Sequence, residues 1–294
     1  MIPQVSLIAS AVRPKLWGAF FKSLEGTSVE YEIVFSGHNT PDETASFQLD
    51  YREFIYIHTK KIKPAQCYEI ARRHATGETV IWVADDAEFP NDVIGKAYKY
   101  WKSQNNEKLI LSIQTKESGY NLPEGKLFDM NIHRFFGGAP FEPYNPLMAP
   151  IGLMSRKFLE GLGGFDRRYV CGQYENSTVL RAYEYGGIVE IFRDKDCFID
   201  IDHLGKSIAI GESKVEADFL NRPFAKGYQK DREVLEKSWA TLNQTKLAAF
   251  FKAGIQQISP SEVFEISKTQ LDAFEPYEDT DILTKSQSNK GGWE

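Results

Sequence analysis

Apolar and polar positions along the first third of the chain repeat one order: a short apolar run, then apolar residues at helical spacing, then another run. Residues 5–11 form a strand-like run stopped by Arg13-Pro14. Residues 15–24 place Leu16, Phe20 and Leu24 one helical turn apart, and Gly26 closes that helix. Short strands follow at 32–35 and 54–57, and a helix at 64–75 ends in Thr76-Gly77-Glu78. The run from Thr79 to Ala84, rich in Val, Ile and Trp, is too short for a helix and predicts a buried strand. A helix at 90–101 and a strand at 108–113 continue the alternation. That order predicts a parallel α/β sheet covered on both faces.

Farther along, residues 116–150 carry Gly, Pro and aromatic residues with little periodicity, the mark of a functional or mobile loop. A strand at 151–154, a helix at 156–162, the turn Gly163-Gly164-Phe165-Asp166, a helix at 175–185 and strands at 188–192 and 197–201 come next. Leu235, Trp239 and Leu242 lie three or four apart within 228–252, an amphipathic helix, and Ser259-Pro260-Ser261-Glu262 starts one more. The expected organisation is a main α/β domain over 1–210, a helical C-terminal extension over 211–275 and a polar tail over 276–294.

The run at 79–84 ends on Asp85-Asp86, with Glu88 two residues on and Pro90 at a helix start. Carboxylates at the end of a central strand lie where open α/β sheets bind ligands. Two adjacent acids repel unless a cation sits between them, and hard oxygen ligands favour Mg2+ or Mn2+. A solvated Asp-Asp turn with a helix cap is the competing reading of the same residues.

Composition narrows the function classes. A net charge of -6 argues against a surface made for generic phosphate-backbone binding. Cys67, Cys171 and Cys197 are too few and too scattered for a disulfide framework or a zinc cluster, which suits a cytoplasmic setting. No secretory leader and no run of membrane-spanning length is expected.

Several of these pieces resemble, in chain order, the nucleotide-sugar glycosyltransferases of the GT-A fold, most nearly family 2. The first run with Arg13 is similar to that family's V-S-V-I-I-P-T-Y-N-R opening, and Lys63-Pro64-Ala65 through Ala75-Thr76-Gly77-Glu78 to its G-P-S-A-A-R-N-A-G helix and T-G-E turn. Ala84-Asp85-Asp86 lies where the family carries D-x-D. Gly163-Gly164-Phe165-Asp166 matches its G-G-F-D turn, and Glu175-Asn176 to Arg181 its E-D-x-D-L-x-x-R helix. The chain departs from the pattern at Ala84, at Ser36-Gly37 in place of an acidic pair, at Tyr68-Glu69 in place of Arg-Asn, and at Asn176 in place of the general-base Asp. Glu175-Asn176 is closer to the W-G-G-E-N form of the polypeptide N-acetylgalactosaminyltransferases, which also place a metal-binding His after a Cys-containing strand, as Cys197 to His203 does here.

The resemblance implies a Rossmann-like, mostly parallel GT-A sheet and transfer of a hexose from a nucleotide sugar, a UDP-sugar, to a hydroxyl. Asp86 and His203 are the implied ligands of Mn2+ or Mg2+, with Asp85 reaching the ribose or a metal-bound water. Ser10, Ala11, Arg13, Ser36 and Gly37 frame the nucleotide, Glu175 is the implied base, and Asn176 orients a hydroxyl or phosphate. Family 2 implies inversion at the anomeric carbon, and the Glu-Asn pair leaves retention open. A glycan or lipid-linked sugar is the default acceptor; a hydroxymethylated DNA base, flipped out of its duplex, is another. A nucleotidyltransferase or a non-catalytic nucleotide-sugar binder is the rival on the same scaffold. Lys60, Lys61, Lys63, Arg72 and Arg73 read as a solvated face or a steering patch. His133, Arg134, Phe135 and Phe136 read as an acceptor-side lid or an anchored loop, and Asp166 and Arg181 as structural.

Overall fold

A computed structural model describes residues 2–59, 64–117, 128–129, 147–166, 168–169, 172–194, 196–201, 231 and 234–235. Helices and strands alternate as β1 Val5–Ser10, α1 Pro14–Ser23, β2 Tyr31–Gly37, α2 Pro41–Asp50, β3 Phe54–His58, α3 Pro64–His74 and β4 Thr79–Trp82. A 3-10 turn at Pro90–Asp92 leads into α4 Val93–Ser103, then β5 Leu109–Ile113, β6 Thr115–Glu117 and β7 Phe128–Asp129. The described chain closes with β8 Gly152–Ser155, α5 Arg156–Gly161, α6 Tyr174–Glu184, β9 Ile188–Phe192 and β10 Ile199–Asp200.

Seven strands pair in the order β3-β2-β1-β4-β8-β5-β9, and β10-β6-β7 form a smaller sheet beside them. The large sheet is parallel except for β8, which runs antiparallel to both β4 and β5. The sheet is therefore mostly parallel, as the GT-A resemblance implies. At the reversed strand β8, Gly152 packs directly on the indole at the end of β4: a Cβ on Gly152 would lie 2.4 Å from the Trp82 ring.

Between β2 and β3 the sequence reading left a gap, and α2 fills it. Its signal is the Thr40-Pro41-Asp42-Glu43 box: the Glu43 carboxylate accepts from the Thr40 N–H at 2.7 Å and its hydroxyl at 2.9 Å. The α2 pattern is weakly apolar, so periodicity alone passes over it. Helix α4 starts later than the expected 90, because Asn91 and Asp92 are left-handed, at φ 58 and 55. Of the expected extension, Leu235 is buried in the main core with Val234 packed beside it, and the tail over 276–294 lies outside the described residues.

Trp17 from α1 ties the core to the sheet's carboxyl edge. Its ring meets Phe35 and Phe47 with centroids 5.3 Å apart and Phe54 at 5.7 Å, while its indole N–H reaches out of the cluster. At the opposite edge, Glu32 accepts from Ser6 Oγ at 2.6 Å and from the N–H groups of Thr76 at 2.5 Å and Gly77 at 3.0 Å. That bond set fixes the Thr76-Gly77-Glu78 turn from which β4 departs.

Candidate active site at the carboxyl edge of the sheet

The strand order reverses direction between β1 and β4, so their carboxyl ends diverge and leave the crevice in which open α/β sheets bind ligands. Asp85 closes the inner end of it. Its Oδ2 accepts from the N–H groups of Val12 at 2.8 Å and Arg13 at 2.9 Å, and from the Trp17 indole at 3.3 Å. Its Oδ1 accepts from Arg13 Nε at 3.0 Å and Nη2 at 2.6 Å. Both Asp85 oxygens are thus committed to protein donors, and the residue is only 2% exposed.

The Arg13 guanidinium spans both acids, with Nη1 2.8 Å from Asp86 Oδ2. Burial alone would lower the Arg13 pKa, but the charges of Asp85 and Asp86 outweigh it and hold the side chain firmly protonated. The cation between the adjacent acids in this structure is a guanidinium. Arg13 keeps about a quarter of its side chain exposed, at 26%, so it faces the crevice as well as the acids.

The end of β2 forms the neighbouring wall. The Ala11 carbonyl accepts from Tyr56 Oη at 2.9 Å and Asn39 Nδ2 at 3.2 Å, and its N–H donates to the Ser36 carbonyl at 2.9 Å. Gly37 sits against this junction: a Cβ there would lie 2.1 Å from the Ala11 oxygen and 2.5 Å from Tyr56 Oη. Gly37→Ala is therefore expected to destabilise the fold by about 1–3 kcal/mol through overpacking, read as a lower urea midpoint at unchanged m. Ser36 is wholly buried, and Ser10, Ser36 and Thr59 present their hydroxyls to Cys67, whose thiol burial pushes up to about 11. Ser36 lies beneath the crevice floor, whereas Gly37 and Ala11 shape its wall.

Helix α6 is brought to the same crevice through Tyr68. The Tyr68 hydroxyl donates to the Val83 carbonyl at 2.7 Å, just before the acid pair, and its ring stacks on Tyr174 at 4.8 Å. Tyr174 immediately precedes Glu175. Burial chiefly, then the charges of Asp85, Glu175 and Asp86, raise the Tyr68 pKa. Glu175 is half-buried, and its Oε2 is shielded from solvent with no hydrogen-bond partner among the described residues. Desolvation lifts its pKa from 4.5 to about 7; the backbone N–H groups of Glu175 and Gln173 pull against that shift, and Asp231 adds to it. Asn176 donates from Nδ2 to Gln173 Oε1 at 2.7 Å, and its Oδ1 is likewise unpartnered among the described residues.

The Gly163-Gly164 turn, with φ of 86 and 74, is held from two sides. Arg181 donates to the carbonyls of Leu162 and of Gly164, the latter at 2.7 Å. Glu69 accepts from the Phe165 N–H at 2.9 Å while pairing with Arg72 at 2.7 Å and Arg73 at 2.9 Å. Arg72 and Arg73 thus turn inward onto Glu69, which corrects their reading as a solvated face; Lys60, Lys61 and Lys63 lie outside the described residues. Asp166 caps its own turn by accepting from the Arg168 N–H at 2.9 Å. Glu69→Ala removes the buried carboxylate that Arg72 and Arg73 share and is expected to cost about 3–5 kcal/mol, read in chemical denaturation.

His203 and the 133–138 segment lie outside the described residues. Among the described residues no group of three or more His, Cys, Asp or Glu side chains is arranged to hold a metal ion. Asp86 is a hard oxygen donor of the kind a divalent cation takes, and both oxygens of Asp85 are engaged by Val12, Arg13 and Trp17. Trp17, Tyr68, Glu69 and Asp231 were missed as functional residues by sequence reasoning. Tyr68 and Glu69 carried a signal, since they stand at the position where the resemblance breaks. Trp17 and Asp231 carried none, because a helix-face Trp and a lone Asp are ordinary.

Residues 14–157 match the model of glycosyl transferase family 2. No curated protein matches the chain. Among solved structures, S. aureus TarS 1–349 superposes with a TM-score of 0.52 at 15% identity, over 68% of this chain and 60% of that one. The same protein in complex with UDP-GlcNAc gives 0.52 at 15%, over 68% and 58%. GalNAc-T7 with UDP, GalNAc and Mn2+ gives 0.50 at 12%, over 69% and 44%. The chain thus spans about 60% of the length of the first of these structures, and at such identities the likeness is one of fold.

Proposed function

We propose that this chain is a family-2-like glycosyltransferase of the GT-A fold that transfers a hexose from a nucleotide sugar, a UDP-hexose, to an acceptor hydroxyl. The observation that carries the reading is the Arg13–Asp86 pair at the sheet's carboxyl edge, joined through Tyr68 and Tyr174 to the half-buried Glu175. The nucleotide-bound relatives UDP-GlcNAc–TarS and UDP–GalNAc-T7 support a UDP-linked donor.

In this reading Ser10, Ala11 and Gly37 shape the nucleoside wall above the buried Ser36, and Asp85 holds the Ala11–Arg13 loop against it. Glu175 takes the proton of the acceptor hydroxyl, whose oxygen bonds to the anomeric carbon. The bond from that carbon to the donor phosphate breaks, and the nucleoside diphosphate leaves with the electron pair. Asn176 orients the acceptor through its amide. Arg13 faces the departing diphosphate with its permanent positive charge. Asp86 and His203 are the residues that would hold Mn2+ or Mg2+, which when bound supplies further positive charge to the leaving diphosphate. Mn2+ in GalNAc-T7 supports that choice. The acceptor is a glycan or a lipid-linked sugar.

Incubating the purified protein with a panel of sugar nucleotides and acceptors, followed by mass spectrometry of the products, tests the reading. A hexose-bearing product that disappears with chelation and returns with Mn2+ is expected. Donor binding without any turnover, across the panel and with Mn2+ present, would leave a binding module and overturn it. Hydroxymethylated DNA in the same panel separates the nucleic-acid acceptor from the glycan classes.

A further inference from the structure

Asp231 comes from beyond the main domain in sequence, yet it is wholly buried against it. Its Oδ2 accepts from the Gly172 N–H at 2.8 Å, and Leu235, one turn on, is 5% exposed in the main core. Gly172 opens the turn into α6. Gln173 follows in the left-handed region at φ 64, a conformation a glutamine adopts only when its surroundings hold it. The turn is engaged at both residues: the Gly172 N–H by Asp231, and the Gln173 side chain by Asn176 at 2.7 Å. The Gln173 N–H in turn lies toward the Glu175 carboxylate.

We propose that Asp231 is a positioning residue for Glu175: it pins the turn that presents the Glu175 carboxylate to the crevice and stands beside it as a second buried acid. The proposal rests on the reading of Glu175 as the base. Among the described residues, the groups facing Glu175 are Asp231 from the C-terminal segment, Tyr68 from α3 and Tyr174 from α6 itself. Both tyrosines are driven upward by burial and stay neutral near pH 7, and the Asp231 carboxylate adds to the rise in the Glu175 pKa. A like charge on this neighbour disfavours ionised Glu175, keeping it a stronger base than an ordinary carboxylate.

Asp231→Asn keeps an acceptor for the Gly172 N–H and removes the charge. The acidic limb of the kcat profile, expected at about 7 in the parent, should then move down by roughly one pH unit, with KM for the donor unchanged. Asp231→Ala, which also frees the turn, should show the same move and lose a further tenfold or so in kcat. A merely structural role would lower the melting temperature and leave the limb in place. A folded Asp231→Asn with an unmoved limb overturns the proposal. Should that variant not fold, Asp231→Ser, smaller and still an acceptor, is read in the same way; failure of both to fold counts against the proposal. Glu175→Gln distinguishes the two levels. If it transfers normally, the reading of the base fails. If it is inactive while Asp231→Asn behaves as the parent, only the inference about Asp231 fails.

Discussion

Glu175→Gln is expected to reduce transfer about 10²–10⁴-fold, the range for loss of a positioned general base, with donor affinity within a few-fold of the parent. The amide has the size of the carboxylate but cannot accept the acceptor's proton. Since Glu175 titrates at about 7, parent kcat should rise with pH through that value and level off above it. In the variant this acidic limb should vanish. The effect on stability has the opposite sign. A carboxyl group whose pKa is raised in the folded state makes the protein lose stability as pH climbs from the unfolded value near 4.5 through about 7. Glu175→Gln removes that loss, so above pH 7 the variant should melt no lower than the parent. A variant that loses activity because it unfolds would contradict this pairing; thermal melts and single-turnover transfer at pH 6 and 8 decide it.

Asp86→Asn should lower kcat by about 10²–10³-fold, the scale of removing one charge that organises the stabilisation of a developing anion. Its fold should survive, because Arg13 keeps its two bonds to Asp85 Oδ1. Asp85→Asn is the contrasting case. It strips the charge from a carboxylate that holds the β1–α1 loop, the Trp17 indole and Arg13 together, and breaking such a buried pair costs about 3–5 kcal/mol. Denaturation midpoints and kcat, measured for both, should therefore rank them in opposite orders. Electron paramagnetic resonance of added Mn2+ gives the separate readout: Asp86→Asn should weaken binding of the free ion. Equal activity of Asp86→Asn and parent, with or without chelator, would sink the role given to that acid.

Much of the scaffold was legible because a strand or helix buries one face, and burial leaves a periodic trace in a single stretch of chain. The runs at Val5, Tyr31, Phe54 and Thr79, and the helices at Pro14 and Pro64, appear within a few residues of their expected limits. Helix α2 escaped because its exposed faces leave little apolar period, although its Thr40–Glu43 box was there to be read. The reversal of β8 escaped for another reason: strand direction is not a property of the strand's own residues, but of the path the chain takes between β5 and β8.

The candidate site divides in the same way. Asp85-Asp86 after a buried run, the Gly163-Gly164 turn and Glu175 at a helix start are local patterns, so the chain's order of residues determined that acids stand at a strand end and that a carboxylate opens α6. Which acid is engaged, and by what, was a matter for the tertiary structure alone. Asp85 and Asp86 are adjacent and chemically identical, yet Arg13, reached across more than seventy residues, saturates one and bridges to the other. Tyr68 joins β4 to α6, and Asp231 returns from the far end of the chain to hold the turn before Glu175. Such contacts depend on closing long loops, which leave no periodic mark on the residues at either end. A one-dimensional pattern records which groups leave water; only the closed fold decides which of them meet.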